Sequence, residues 1–220
     1  MSTKLLLLIL FGVPATCIPT IVMAPRYRIP WWKAAVILLL LLPTGIAGVY
    51  GMFYIENGIF GGISFYGAVF LLPLVFLPVA WLLRLPYGQT LDLCTVAGSL
   101  VLPLMKINCI IGKCCIGRVL FTLTDGTQIR FPSREVEMVV ALCLFVLLFR
   151  WGLRGKNRGS LYPWFLVLYG STRFVLNIFR EAWVTRTMLL PFGNIWSLVA
   201  MAIGTVWLLV TRQSRDGRGL

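Results

Sequence analysis

The sequence predicts an all-α integral membrane protein, because apolar residues dominate it, charged residues are scarce and the apolar residues form long runs. Of the 220 residues, 59% are hydrophobic and 12% are charged, and the mean hydropathy is +0.90. A soluble domain carries about twice that share of charged residues, with which it covers its core. The composition therefore excludes a soluble enzyme, a disordered tail and a nucleic-acid-binding module.

Seven apolar runs predict about seven transmembrane helices, since a helix of about 20 residues crosses the ~30 Å of hydrocarbon. The runs cover approximately residues 4–24, 34–54, 65–83, 91–105, 136–149, 161–179 and 189–210. The fourth and fifth runs are short, which leaves a re-entrant pair as an alternative. The first run resembles a signal peptide near Cys17, but its apolar character continues to Met23, so we expect a retained helix.

The basic residues indicate the orientation of the chain. With seven crossings, eleven Lys and Arg residues lie on the side of the C-terminus and eight on the other side. The positive-inside rule then predicts a cytoplasmic C-terminus and an external N-terminus. The net charge of +13 fits an anionic lipid leaflet. We expect residues 1–220 to form a single polytopic membrane domain, in which 106–134 is an extracytoplasmic loop that carries five of the eight external basic residues.

Non-helical structure is expected inside that loop. Residues 121–130 alternate apolar and polar side chains on both sides of Asp125-Gly126. This pattern predicts a small β-hairpin on the extracytoplasmic side.

The chain contains no histidine, which excludes a Ser-His-Asp triad and every His-containing metal site. Its six cysteines lack the paired spacing of a structural zinc site. We therefore predict neither a metal nor an organic cofactor.

Arg173 is the strongest candidate for a functional residue, because a charge within an apolar run costs at least ~2.5 kcal/mol unless it meets a polar cavity or partner. Tyr169 and Asn177 lie four residues before and after it, so the three side chains share one stripe of a helix and are expected to line one pocket. The alternative is a structural arginine that snorkels or pairs with a carboxylate such as Glu137. Glu137 itself is either a catalytic carboxylate or a solvated helix start.

Glycines precede the third run at Gly61 and Gly62, with Ser64 close behind. Glycines permit a close backbone approach and leave N–H groups near a helix start, where an anion such as a lipid phosphate binds favourably.

Six segments together carry a family resemblance. They are Gly61-Gly62-Ile-Ser-Phe-Tyr66-Gly67; Asp92; Lys106-Ile-Asn108-Cys109 continuing to Gly117-Arg118; Pro132-Ser133-Arg134-Glu135-Val-Glu137; Tyr169-Gly170-Ser-Thr-Arg173-Phe174 followed by Phe179-Arg180-Glu181; and Gly193-Asn194-Ile-Trp-Ser197-Leu198. In this order, over about residues 58–205, the chain resembles the prolipoprotein diacylglyceryl transferase family.

The resemblance implies a multi-pass enzyme of the bacterial inner membrane with seven helices. Such an enzyme moves a diacylglyceryl group from phosphatidylglycerol to a cysteine thiol in the signal peptide of a lipoprotein precursor and releases glycerol phosphate. The resemblance places Lys106, Arg173 and Tyr169 in the catalytic site, where Tyr66 or Glu137 assists thiol deprotonation. It also implies the substrate-contacting residues Gly61, Gly62, Ser64, Cys109, Gly117, Arg118, Arg134, Asn177 and Arg180.

The chain departs from the family pattern at several of these positions. The family commonly has histidine at the positions of Tyr66 and Phe131, arginine at Lys106 and glutamate at Asn177. A lysine lacks the bidentate phosphate contacts of arginine, and Arg134, where the family has glutamine, offers a replacement cation. Two alternatives stay open: a non-catalytic paralogue that binds phospholipid or a membrane peptide, and a small transporter component whose intramembrane arginine marks a substrate path.

Overall fold

The computed structural model describes residues 3–59, 62–111, 117–124, 127–155, 158–179 and 192–216. Its elements, in chain order, are α1 (Thr3–Met23), α2 (Trp31–Asn57), α3 (Phe65–Leu82), α4 (Tyr87–Ser99), α5 (Val101–Ile111), β1 (Val119–Thr122), β2 (Gln128–Arg130), α6 (Ser133–Arg154), α7 (Leu161–Ile178) and α8 (Phe192–Asp216). The expected all-α architecture with one small hairpin is confirmed.

The helices are those of a multi-pass membrane protein. Five segments within the described ranges are long and apolar enough to cross a bilayer, and they comprise α2, α3, α4 with α5, α6 and α8. Only Leu100 separates α4 from α5, so these two helices form one unit. With α1 and α7, the described part of the chain contains seven helical units, as the sequence predicts.

The fourth and fifth helical units are longer than their apolar runs. Together α4 and α5 extend over residues 87–111, and α6 contains 22 residues, so both units include residues that flank the short runs and are long enough to cross. The apolar runs end at polar residues, although the folded chain accommodates such residues inside the helix bundle. Thr90, for example, precedes the fourth run, is buried and donates its hydroxyl proton to the carbonyl of Pro86 at 3.3 Å, one turn back along the chain.

The helices pack closely where small residues face each other. A Cβ atom at Gly67 of α3 would lie 1.9 Å from the carbonyl oxygen of Gly48 on α2. A Cβ atom at Gly170 of α7 would lie 2.8 Å from the carbonyl oxygen of Ser197 on α8. Because van der Waals contact drives helix association in lipid, these approaches hold α2 against α3 and α7 against α8.

Helix α4 lies at the centre of the bundle and contacts α1, α3, α6 and α7. Its buried Asp92 accepts hydrogen bonds from the backbone N–H groups of Gly159 and Leu161, the latter at 2.8 Å. Tyr27 donates its hydroxyl proton to the same carboxylate at 3.3 Å, and burial raises the pKa of Tyr27, which keeps that proton in place. Asp92 therefore caps the first turn of α7 from another helix, whereas the side chain of the N-cap residue Ser160 makes no capping hydrogen bond.

The hairpin between α5 and α6 confirms the predicted strands. Phe121 pairs with Ile129 and Thr122 with Gln128 in antiparallel register. The expected turn at Asp125-Gly126 lies outside the described residues. Helix α5 continues to Ile111, so Lys106 lies on a helix and not in the loop where the sequence places it.

Candidate active site

Three charged side chains from three helices meet in the bundle and are called here the ion cluster: Lys106 of α5, Glu137 of α6 and Arg173 of α7. Arg173 donates from Nη1 to Oε2 of Glu137 at 2.5 Å, and the ammonium group of Lys106 pairs with the same oxygen. The side chain of Glu137 is 3% exposed, against 15% for Lys106 and 20% for Arg173. The ion cluster thus consists of one buried carboxylate and two partly accessible cations that contact it.

The ion cluster gives the partners of Arg173 and Glu137, whereas a catalytic role for either residue stays a prediction. Arg173 pairs with Glu137, as the structural alternative for this arginine proposed. Glu137 is not a solvated helix start: α6 begins at Ser133, and Glu137 lies one turn further on, on a buried face. Two cations offset the cost of burying its charge.

The geometry of the ion cluster also explains why both cations stay close together. Two like charges side by side in a medium of low dielectric constant repel each other strongly. The negative carboxylate of Glu137 contacts both cations and offsets their repulsion. Helix α6, which carries Glu137, contacts both α5 and α7. The sum of the three charges is one positive unit, so the ion cluster still attracts an anion.

Two tyrosines extend the site from the arginine towards α3. Tyr169 lies one turn before Arg173, and its ring centroid is 5.4 Å from that of Tyr66. Both rings are buried. The structure therefore brings together all five residues that were expected to be catalytic: Tyr66, Lys106, Glu137, Tyr169 and Arg173.

Ser197 of α8 holds the hydroxyl group of Tyr66. The two oxygens are 2.6 Å apart, and Ser197 donates to the carbonyl of Gly193, also at 2.6 Å. A serine hydroxyl has a single proton, so Tyr66 is the donor to Ser197. Ser197 was not among the site residues expected from the sequence, although it belongs to one of the quoted segments.

Asn177 bonds to α8. Its side-chain amide donates to the carbonyl oxygen of the Asn194 side chain at 2.9 Å. Asn194 is buried, like Ser197, and was likewise not among the expected site residues. The sequence contains a pattern that could have indicated both: two polar side chains, Asn194 and Ser197, lie three residues apart at the start of an apolar helix.

The glycine segment before α3 packs against α2. A Cβ atom at Gly62 would lie 2.3 Å from the ring of Phe53, and Ser64 donates to the carboxylate of Glu56 at 2.9 Å. Gly61, which was expected to act with them, lies outside the described residues. Anion binding at this segment stays a prediction.

The remaining expected substrate contacts surround the base of the hairpin. A Cβ atom at Gly117 would lie 1.9 Å from the carbonyl oxygen of Phe131, so only glycine fits there. Arg118 is exposed, Cys109 is half-buried, and Arg134 lies 3.9 Å from Glu135 rather than in the ion cluster. Arg180 lies outside the described residues.

An apolar cavity of about 80 Å³ lies among α1, α2, α3, α4, α5 and α7. Its wall includes Met105, the neighbour of Lys106, together with Phe65 and Phe165. The rings of Phe65 and Phe165 contact that of Tyr169 at centroid distances of 5.4 and 5.3 Å. Tyr169 thus connects the apolar cavity with the helical turn that carries Arg173, and an apolar cavity near a cationic cluster suits an amphiphile with an anionic head group.

Comparison with known proteins gives a consistent result. The family model described as prolipoprotein diacylglyceryl transferase matches residues 46–210. A protein of Methylobacillus flagellatus named phosphatidylglycerol–prolipoprotein diacylglyceryl transferase is 34% identical over 90 residues, which are 39% of this chain and 34% of the relative. A protein of Geobacter sulfurreducens with the same name is 29% identical over 165 residues, which are 70% of this chain and 63% of the relative. The chain thus matches less than two thirds of the length of each relative.

Proposed function

The chain belongs to the prolipoprotein diacylglyceryl transferase family, and on that premise we propose that it moves a diacylglyceryl group from phosphatidylglycerol to a cysteine thiol of a lipoprotein precursor. The observation that carries the proposal is the ion cluster, in which Lys106 and Arg173 share the buried carboxylate of Glu137. The names of both relatives state the same reaction.

The two cations bind the lipid phosphate. Glu137 contacts one guanidinium nitrogen of Arg173, and a guanidinium carries N–H donors on all three nitrogens, so Arg173 can hold the carboxylate and a phosphate oxygen together. Lys106 adds a point charge that contacts phosphate without the fixed geometry of an arginine. The adjoining apolar cavity, at about 80 Å³, has room for only part of an acyl chain of the same lipid.

The reaction is a displacement at the glycerol carbon that carries the phosphate ester. The thiolate sulfur of the precursor attacks this carbon, a C–S bond forms and the C–O bond to phosphate breaks. The electron pair of that bond leaves with glycerol phosphate, whose growing negative charge the two cations stabilise. The same cations lower the pKa of the incoming thiol.

Loss of the thiol proton needs a route that does not use histidine, because the chain has none. In our proposal the carboxylate of Glu137 takes up the thiol proton, and the buried hydroxyl group of Tyr66 assists by accepting a hydrogen bond from the thiol. Because Tyr66 donates to Ser197, its phenol oxygen accepts a hydrogen bond without first losing its own proton.

The proposed setting is the bacterial inner membrane, with the N-terminus outside and the C-terminus in the cytoplasm. In that orientation residues 1–220 form one membrane domain, and the hairpin segment between α5 and α6 is extracytoplasmic. The end of α5, the start of α6 and the end of α7 then lie on the same side as the hairpin. The signal peptide of the precursor approaches the site from that side.

A direct assay tests the proposal. The full chain in nanodiscs is given phosphatidylglycerol and a synthetic precursor peptide, and the peptide mass is measured. We expect a diacylglyceryl mass shift, with the rate reduced by at least about 100-fold in Arg173→Ala. Arg150→Ala is the matched control, because Arg150 is an exposed arginine near the other end of α6, and it should retain the rate.

Each alternative function has its own outcome in this assay. Phosphatidylglycerol binding that Arg173→Ala weakens, without any modified peptide, identifies a non-catalytic paralogue. Solute flux through proteoliposomes, again without modified peptide, identifies a transporter component. Either result overturns the transferase proposal.

A further inference from the structure

The hairpin formed by β1 and β2 has one apolar face, and that face is exposed. Phe121 and Ile129 are directly paired across the strands, and their side chains are 68% and 47% exposed. Leu123 lies two residues after Phe121, so it points to the same side of the strand, and it is 46% exposed.

The opposite face of the hairpin is polar towards the turn, whereas Leu120, which is 45% exposed, lies nearer the base, where a register shift interrupts the alternation. Thr122 and Gln128 form the next pair in the register, and both are exposed. Arg130 lies two residues after Gln128 and donates to its side-chain carbonyl at 2.9 Å, which places both on this face. The hairpin is therefore amphipathic, and the two-residue period of a strand separates its faces.

Backbone contacts fix the base of the hairpin to the helix that carries Arg173. The N–H group of Arg118 donates to the carbonyl of Phe179, the residue that follows α7, at 2.9 Å. Phe131 donates its own N–H to the carbonyl of Arg118 at 2.9 Å, and its ring stacks on that of Phe179 with centroids 4.9 Å apart. These contacts set the direction of the apolar face relative to the bundle.

The hairpin also lies at the surface of the membrane. Strand β2 ends at Arg130 and α6 begins at Ser133, so only Phe131 and Pro132 separate the strand from a helix long enough to cross the bilayer. Two residues extend over at most about 7 Å, which is comparable to the ~5–7.5 Å depth of the head-group region on one side of the bilayer. A two-stranded hairpin with an exposed apolar face is only marginally stable in water, so we expect another surface to bury that face.

The basic residues of the hairpin segment indicate what kind of surface buries the apolar face. Residues 106–134 contain five basic residues and one acidic residue, and Arg118 and Arg130 are exposed on the hairpin itself. We propose that the apolar face formed by Phe121, Leu123 and Ile129 inserts into the head-group region of an anionic lipid leaflet, where Arg118 and Arg130 contact lipid phosphates. The hairpin is then a lipid-binding surface beside the ion cluster and tied to α7. This inference needs the chain to span a membrane but not to catalyse transfer.

Photocrosslinking tests the proposal with the full chain in nanodiscs. The photoreactive residue p-benzoylphenylalanine replaces Phe121 in one variant and Thr122 in the matched control, which is the neighbouring residue on the polar face. After irradiation the intact protein is weighed. We expect roughly fivefold more lipid adduct from position 121 than from position 122 in nanodiscs that contain phosphatidylglycerol.

A second comparison isolates the charge. The double variant Arg118→Gln with Arg130→Gln should lower the adduct yield from position 121 in phosphatidylglycerol nanodiscs, and it should change little in phosphatidylcholine nanodiscs. Equal adduct yields from both faces overturn the proposal. So does a crosslinked dimer of the chain or preferential crosslinking to an added precursor peptide, since either one identifies a different cover for the apolar face.

Discussion

Arg173 of α7 donates a hydrogen bond of 2.5 Å to the buried carboxylate of Glu137 on α6, and this contact organises the candidate active site. Lys106 approaches the same carboxylate oxygen from α5. The pairing keeps the arginine inside the apolar bundle, places two cations side by side and leaves an excess of positive charge. In the proposed reaction, the same pairing makes the site ready for a phosphate.

Replacing Glu137 with glutamine should destabilise the protein, because Lys106 and Arg173 would then face each other without the carboxylate. We expect a loss of about 2–4 kcal/mol in the free energy of unfolding, measured by unfolding in mixed detergent micelles. Glu135→Gln is the control, since its side chain is 48% exposed and 3.9 Å from Arg134. Equal effects of the two substitutions would show that the ion cluster contributes nothing to stability.

Replacing Lys106 with arginine should improve binding of the lipid phosphate, since a guanidinium contacts two phosphate oxygens at once. We expect the KM for phosphatidylglycerol to fall by about 3- to 10-fold, whereas Lys106→Met should raise it. Both are measured with the peptide assay at varied lipid content. A KM that both variants leave unchanged contradicts the role of Lys106 in phosphate binding.

Two variants separate the chemical role of Tyr66 from its structural role. Tyr66→Phe removes the hydroxyl group, whereas Ser197→Ala removes the partner of that hydroxyl and leaves the phenol in place. Each should cost about 1 kcal/mol in the free energy of unfolding. If Tyr66 assists thiol deprotonation, only Tyr66→Phe should reduce kcat by more than about tenfold. Equal kcat values in the two variants would assign the hydroxyl to packing alone.

Replacing Asp92 with alanine should loosen the start of α7, because the N–H groups of Gly159 and Leu161 lose their acceptor. We expect a cost of about 2–3 kcal/mol in the free energy of unfolding and faster hydrogen exchange at these two amides. Tyr27→Phe is the milder comparison, since it removes only a 3.3 Å contact to the same carboxylate. Unchanged exchange at Leu161 would contradict the capping role.

Sequence patterns predicted most of the fold because bilayer thickness ties a helix to a run of apolar residues. The runs located the seven helical units, and the alternation at 121–130 located the hairpin. The pattern was weakest at α4, where Asp92 and Thr95 interrupt the apolar run although the helix continues. Their partners lie elsewhere in the bundle or one turn back in the same helix, and hydropathy does not record them.

The candidate site was predicted only in part. The cost of an intramembrane charge identified Arg173 from the sequence, and Glu137 was named as one possible partner. That Lys106 joins the same carboxylate was not predicted, because it depends on how α5 and α7 pack against α6. Ser197 and Asn194 were missed for the same reason, since they meet Tyr66 and Asn177 only when α8 packs along α7 and beside α3.

The linear sequence by itself determined which segments enter the membrane, where the hairpin forms and that one arginine must find a partner inside the bundle. These properties follow from local hydropathy and residue spacing. The tertiary structure decided which carboxylate meets that arginine, which lysine shares it and which helix caps the start of α7. Those contacts join residues 31 to 69 positions apart, since Lys106 and Glu137 are 31 apart and Asp92 and Leu161 are 69 apart. Such contacts arise when helices cross, and only close packing selects the faces that meet.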